Sequence, residues 1–233
     1  MKEILLIVSF YFLIGGIALF RIRMIHPQKS KENVIKYFMY LSIVSSVLAT
    51  IHFKLFPYLT LVLIYTGLYE IIKSNRIKYK NNLIYALIST LIYCAIALFF
   101  FDFSRKSSED ELLFVYIIVL VFDGFSQITG QLWGKHKLLK VSPGKTVEGT
   151  IGGLILSLLT VLYIGDELAM ENNFPVALLI IVSALAGDLL ASWNKRINGI
   201  KDYGTLLPAH GGILDRFDSL LLSGALYNAI LQH

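Results

Sequence analysis

The sequence predicts an all-α, polytopic integral membrane protein with about eight transmembrane helices and both termini outside. Three observations lead there. Of 233 residues, 56% are hydrophobic and only 16% charged, where a soluble domain carries about 25% charged. The apolar residues fall in blocks close to the ~20 that a helix needs to cross ~30 Å of hydrocarbon. Between the blocks, loop charge alternates along the chain.

The blocks are 4–20, 34–53, 56–72, 83–101, 112–129, 150–164, 174–193 and 213–231. The first has a long apolar part with no small-residue cleavage site after it, and Arg21 and Arg23 follow directly. It is expected to be a retained anchor rather than a signal peptide. Only Lys54, Leu55 and the surroundings of Pro57 separate the second and third blocks, so a tight turn is expected. The sixth block is short, and the eighth begins with charges.

Basic residues follow the first block (Arg21, Arg23, Lys29, Lys31), the third (Lys73, Arg76, Lys78, Lys80), the fifth (Lys135, Lys137, Lys140, Lys145) and the seventh (Lys195, Arg196, Lys201). The loops between these are acidic, mixed or nearly uncharged. By the positive-inside rule the basic loops face the cytoplasm, which gives eight crossings. The formal charge of +5 is thereby explained as topology, and no basic helix or aromatic-interleaved patch points to nucleic acid. Cys94 is the only cysteine, so no internal disulfide forms. With no repeat or linker, residues 1–233 read as a single membrane domain, with N-terminal helices at 1–111 and a catalytic half at 112–233.

One stretch departs from the hydrocarbon. Residues 188–218 hold Asp188, Asp202, Asp215, Asp218, Lys195, Arg196, Lys201, Arg216 and His210. Charges at a bilayer centre cost roughly 2.5–3.5 kcal/mol each on insertion scales, so such a cluster reads as a site. Asp188, Ser192 and Lys195 or Arg196 share one helix face. Gly204, Pro208 and Gly211-Gly212 exclude a continuous helix between 199 and 212, leaving a loop that carries Lys201, Asp202 and His210. The last helix then opens at Gly211-Gly212, where free N–H groups suit a phosphate. Asp215 and Asp218 share a face in its first turns and suit a cation. The plainer alternatives are a salt bridge for Asp188, an interfacial hydrogen bond for His210 and an ordinary turn for the glycines.

A second group lies upstream: Asp123 near the end of the fifth block, then Lys145 and Glu148 in the stretch 140–153. Gly144-Lys145-Thr146 is not a P-loop, because no glycine stands five residues before Gly144 and no strand is expected to lead into it. Lys145 remains a candidate phosphate contact. Carboxylates able to hold a divalent cation, beside cations able to meet phosphate oxygens, suit metal-assisted chemistry on a nucleotide.

The stretch 192–218, SWNKRINGIKDYGTLLPAHGGILDRFD, closely resembles the C-terminal signature of the phosphatidate cytidylyltransferases, or CDP-diacylglycerol synthases. Gly187-Asp188 and Ser142-Pro143-x-Lys145-Thr146-x-Glu148-Gly149 resemble that family too, so the likeness covers about the last half of the chain. Two departures stand out. Asn194 stands where the family usually has an apolar residue. Gly124, Phe125, Ser126 and Gln127 replace the small, hydroxyl and aromatic residues usual between Asp123 and Gly130, a stretch expected to touch the lipid acceptor.

The resemblance implies cytidylyl transfer in phospholipid biosynthesis: a lipid phosphate, phosphatidate, attacks the α-phosphorus of CTP and expels pyrophosphate, with Mg²⁺ and a possible second monovalent cation such as K⁺. It implies Asp188 and Asp215 as metal ligands beside Ser192, with Asp123, Asp202 and Asp218 in support. Phosphate contacts would come from Lys145, Lys195, Arg196, Lys201, Arg216, His210, Gly211 and Gly212. The expected setting is a bacterial inner membrane with the site facing the cytoplasm, as a possible homodimer. The rival readings are another CTP-using membrane enzyme, such as a polyprenol kinase, and a transporter with broken helices.

Overall fold

The structure, a computed structural model, describes residues 2–25, 30–78, 83–168, 173–204 and 211–232. Each apolar block becomes one helix: α1 Lys2–Ile25, α2 Ser30–His52, α3 Phe56–Lys78, α4 Leu83–Lys106, α5 Glu109–Trp133, α6 Val147–Glu167, α7 Asn173–Ile197 and α8 Leu214–Leu231. Among the described residues α4, α5, α6 and α7 are long and apolar enough to cross a membrane, and α1 and α2 hold shorter apolar stretches. On α6 the exposed Ile151, Ile155, Leu159 and Leu162 recur every three or four residues, which is one helix face. Such a stripe, with its counterpart Ile84, Ile88, Leu91 and Ile92 on α4, is surface made for lipid rather than water.

Local chemistry sets the ends. The expected tight turn joins α2 and α3: Lys54 adopts φ 57°, Leu55 N–H returns to Thr50 O at 2.7 Å, and Pro57 takes a first-turn position where its missing N–H costs nothing. Ser108 and Glu111 form a reciprocal capping box at the start of α5, worth about 1 kcal/mol. α7 stops at Gly199, whose φ of 70° lets Ile200 N–H reach Lys195 O at 3.0 Å.

The all-α architecture holds, with one local addition that the sequence did not show. Lys137–Leu139 (β1) and Ser142–Thr146 (β2) pair as a small antiparallel hairpin before α6. Pro143 and Gly144 hid it, since neither favours a strand. So a strand does carry Lys145. The argument against a P-loop survives on its other ground, the missing upstream glycine.

α5 is the axis of the bundle. Leu113, Phe114, Val115, Ile117 and Ile118 are fully buried, and residues of all eight helices join one apolar core. Helix direction alternates. One end of the bundle gathers Tyr40 of α2, Glu70 of α3, Asp123 of α5, Lys145 of β2, Asp188 of α7 and the start of α8. The other gathers His52 with Glu109 (3.3 Å), Tyr227 with Glu111 (3.0 Å) and Gln232 with Ser107 (2.8 Å). The charged cluster of the sequence therefore lies at one end.

Candidate active site

α7 and α8 cross where α7 has no side chain. A Cβ on Gly187 would stand 2.6 Å from the backbone oxygen of Asp218, so only glycine lets the helices approach this closely. That crossing brings Asp188 and Asp218 into one electrostatic neighbourhood, and Asp123 of α5 joins them. Lys145 reaches in from β2, its Nζ 3.0 Å from Asp188 Oδ2, in a charge contact without hydrogen-bond alignment. Burial pushes the Lys145 pKa down, while Asp123 and Asp188 push it up, and the carboxylates win. Lys145 therefore stays an ammonium.

Three carboxylates face the ammonium of Lys145 and the guanidinium of Arg216, which leaves a negative balance. Oδ2 of Asp188 is buried against the Lys145 ammonium, and Oδ2 of Asp218 is buried with no hydrogen-bond partner among the described residues. An unpartnered carboxylate oxygen in a negative pocket suits a cation. Among the described residues no three His, Cys, Asp or Glu side chains converge into a closed metal cage. Mg²⁺ needs none, because it is usually held by one or two carboxylates with substrate phosphates completing the shell.

Asp215 sits differently from the sequence expectation. Its Oδ1 takes Lys195 Nζ at 2.6 Å, and its Oδ2 takes the N–H groups of Tyr203 and Gly212, both at 2.8 Å. All three donors are spent on folding the loop and both oxygens of this carboxylate are engaged, whereas Asp218 accepts only from Ser219 N–H, on Oδ1, and leaves Oδ2 without a hydrogen-bond partner among the described residues. The ammonium of Lys195 also lies 5.2 Å from the Tyr203 ring centre, and Tyr203 O–H donates to Asn194 Oδ1 at 3.1 Å and Ala191 O at 3.2 Å. Asn194 is thus a hub, joined further to Asn198 and Tyr85. Its departure from the family's apolar residue has a structural reason in that network.

The expectation of free N–H groups at the start of α8 is corrected. Asp215 holds Gly212 N–H, and Glu70 of α3 accepts from Ile213 N–H at 3.0 Å and Leu214 N–H at 2.8 Å. Carboxylates already occupy the place proposed for a phosphate, which removes Gly212 as a phosphate donor. The two glycines serve the backbone: Gly211 takes φ 84°, and a Cβ on Gly212 would meet the Glu70 carboxylate at 2.5 Å.

The other predicted residues divide. Ser192 is buried on the face of α7 that carries Lys195. Arg216 Nη1 donates to Tyr40 O–H at 2.8 Å and lies over that ring, with Asp123 and Asp218 in electrostatic reach of the same tyrosine. Arg196 turns outward, donating to Val141 O at 3.3 Å and Ile200 O at 3.2 Å, and ties α7 to the hairpin. Lys201 and Asp202 are exposed on the loop. His210 lies outside the described residues. In the stretch after Asp123, Gly130 packs against Gly149 of α6, and Ser126 lies against Gly149 and Gly153, so this segment serves helix packing.

Sequence reasoning missed Glu70, Tyr40 and Tyr203. Glu70 had a signal: it is a carboxylate inside an apolar block, the feature that singled out Asp188. Tyr40 and Tyr203 had none, since tyrosines are scattered through the chain.

An apolar cavity of about 340 Å³ adjoins the cluster between α3, α4, α7 and α8. Ile88, Ile92, Leu190 and Leu222 line its walls, and Asp218, Asn194 and Tyr203 border it as well. Asp218 therefore links the charged cluster to a hydrocarbon-lined space.

Fold and cluster define a class: an all-α membrane protein with a mixed-charge site at one end of its bundle. The chain belongs to the cytidylyltransferase family, whose sequence model it matches over residues 3–233. It is similar to the phosphatidate cytidylyltransferase of Staphylococcus saprophyticus, 38% identical over 170 residues, which is 70% of this chain and 64% of that protein. The similarity to the phosphatidate cytidylyltransferase of Staphylococcus aureus (strain COL) is 38% over 168 residues, with the same shares. The match thus spans slightly less than two thirds of these relatives' length.

Proposed function

We propose that this protein transfers the cytidylyl group of CTP to a lipid phosphate, phosphatidate, yielding CDP-diacylglycerol and pyrophosphate. One observation carries the reading beyond family membership: Asp218, which shares a charge cluster with Asp188 and Lys145, lines an apolar cavity, so polar and hydrocarbon parts of a reaction have adjoining places. The relatives' name supports the same substrates.

In this reading Asp188 and Asp218, with Asp123 behind them, hold Mg²⁺, and a monovalent cation such as K⁺ is a possible second occupant. Bound Mg²⁺ would supply neutralisation of polyphosphate charge. Lys145 offers a fixed positive charge to phosphate oxygens beside Asp188, and Arg216 is placed to do the same from α8. Lys195, held by Asp215, fixes the loop bearing Tyr203. The acceptor phosphate is already ionised, so its oxygen attacks the α-phosphorus without a strong base while the bond to pyrophosphate breaks. The chain's task is alignment and charge compensation. The apolar cavity takes the lipid's hydrocarbon. Eight crossings, with the charged end facing the cytoplasm of a bacterium, complete the reading.

The test is purified protein with CTP, Mg²⁺ and a panel of lipid phosphates. CDP-lipid with pyrophosphate is expected, and chelation of Mg²⁺ should abolish it. Release of CDP instead would indicate a kinase acting on an alcohol and would overturn the proposal. Asp188→Asn should reduce turnover by at least about 10²-fold, as removal of a key electrostatic group does.

A further inference from the structure

The start of α8 carries Asp215, Arg216 and Asp218 but has no side-chain cap of its own: Ile213 stands at the cap position. A helix leaves its first N–H groups without intrahelical partners. Here they are met from another helix, 143 residues away in sequence, by Glu70 of α3. Its Oε1 accepts from Ile213 N–H at 3.0 Å and its Oε2 from Leu214 N–H at 2.8 Å. Glu70 is 1% exposed, and the loop is shaped to admit it. A Cβ on Gly204 would stand 2.8 Å from Oε1, and a Cβ on Gly212 would stand 2.5 Å and 2.7 Å from the two carboxylate oxygens. Two glycines flank one carboxylate, and that carboxylate grips two consecutive amides.

We propose that Glu70 is a positioning residue of the candidate site, acting as an N-cap supplied by α3 that sets the height and rotation of α8. The inference rests on the cytidylyl-transfer reading for its catalytic consequence, while the cap itself stands on geometry. A bidentate contact to consecutive amides fixes a helix end more firmly than a single bond. A negative group there also complements the positive end of the helix dipole. Because Asp215 and Asp218 lie in the following turn, a small shift at Ile213 moves the carboxylate that holds Lys195 and the one that faces Asp188 together. Glu70 touches neither substrate in this scheme. Its effect passes through α8.

Glu70→Gln tests this with little change of shape, because the amide nitrogen would face one backbone N–H as donor against donor. Hydrogen–deuterium exchange of the full-length protein in detergent should show the Ile213 and Leu214 amides exchanging at least about 10-fold faster in the variant. With CTP and phosphatidate, kcat should fall about 10- to 100-fold while KM for CTP stays within about threefold, as misplacement of catalytic groups predicts. Gly212→Ala provides an independent arm. It should lower kcat in the parent protein, yet cause little further loss in a Glu70→Ala background, where its methyl meets no carboxylate. Unchanged exchange, equal Gly212→Ala losses in both backgrounds, or faster exchange with kcat unaltered would each overturn the positioning role. If the parent protein itself makes no CDP-lipid, the proposed function fails, and the exchange experiment still decides the cap.

Discussion

Two lysine–aspartate pairs of this site look alike in sequence and differ in physics. The side chains of Lys195 and Asp215 are 10% and 3% exposed, and those of Lys145 and Asp188 are 19% and 24% exposed. Lys195→Met strands a buried carboxylate, so it should destabilise the protein by about 3–5 kcal/mol, as removal of one partner of a buried pair does. The two N–H groups that remain on Asp215 favour the lower end. Denaturant unfolding in detergent measures it. Lys145→Met removes the ammonium that Asp123 and Asp188 face, so it should also destabilise, though by less than Lys195→Met because its partner is more exposed, and turnover should fall at least about 10²-fold. The sequence made each of these four residues legible, because a charge beside hydrocarbon announces itself. Which lysine meets which aspartate was not legible. Asp188 and Lys195 share a helix face, yet Asp188 pairs with a strand residue and Lys195 with the next helix. Only the crossing at Gly187 and the loop through Tyr203 decide that, and neither is a local property.

At the level of elements, the hairpin that bears Lys145 is held by how closely α6 lies on α5. A Cβ on Gly149 would meet the backbone oxygen of Ser126 at 2.5 Å, one on Gly152 would meet Thr129 at 2.6 Å, and one on Gly153 would clash with Ser126 and Phe122. Small residues at such spacing let helix backbones touch, which is how packing replaces the hydrophobic effect in a membrane. Thr129 Oγ1 also donates to Gly149 O at 3.1 Å across this contact. Gly149→Leu should therefore push α6 away, carry β2 with it and lower both thermal stability and turnover, turnover by at least about tenfold. Gly144→Ala is the control: no atom lies within 4 Å of its added Cβ, and both readouts should stay at parent values. Gly152 and Gly153 could be seen inside the sixth block and Gly149 just before it, but nothing there marked them as contact points. Their packing role depends on where α5 lies, and the hairpin's strands are too short and too rich in Pro and Gly to carry a period-two signal.

Over the whole molecule, the helices were legible because length and loop charge are global constraints that each segment must satisfy together. The alternating basic loops correspond to alternating helix direction, and that alternation gathers the charged residues at one end. What no linear pattern reveals is the space between helices. The apolar cavity between α3, α4, α7 and α8 is lined by the small Ala191 on α7, with Ile88, Ile92 and Leu222 around it. If this space takes the hydrocarbon of the lipid acceptor, filling it should weaken one substrate and spare the other. Ala191→Phe puts a ring into existing volume, so it avoids the strain of overpacking a filled core, and it removes no charge from the site. KM for phosphatidate should rise about tenfold, because lost apolar burial of about 1–2 kcal/mol corresponds to that factor. KM for CTP should stay within about threefold, since the contacts proposed for the nucleotide lie with Lys145 and the carboxylates. Steady-state kinetics with each substrate varied in mixed micelles makes the comparison. Equal changes in both constants would mean that the cavity is packing space and that the lipid approaches the carboxylates from elsewhere.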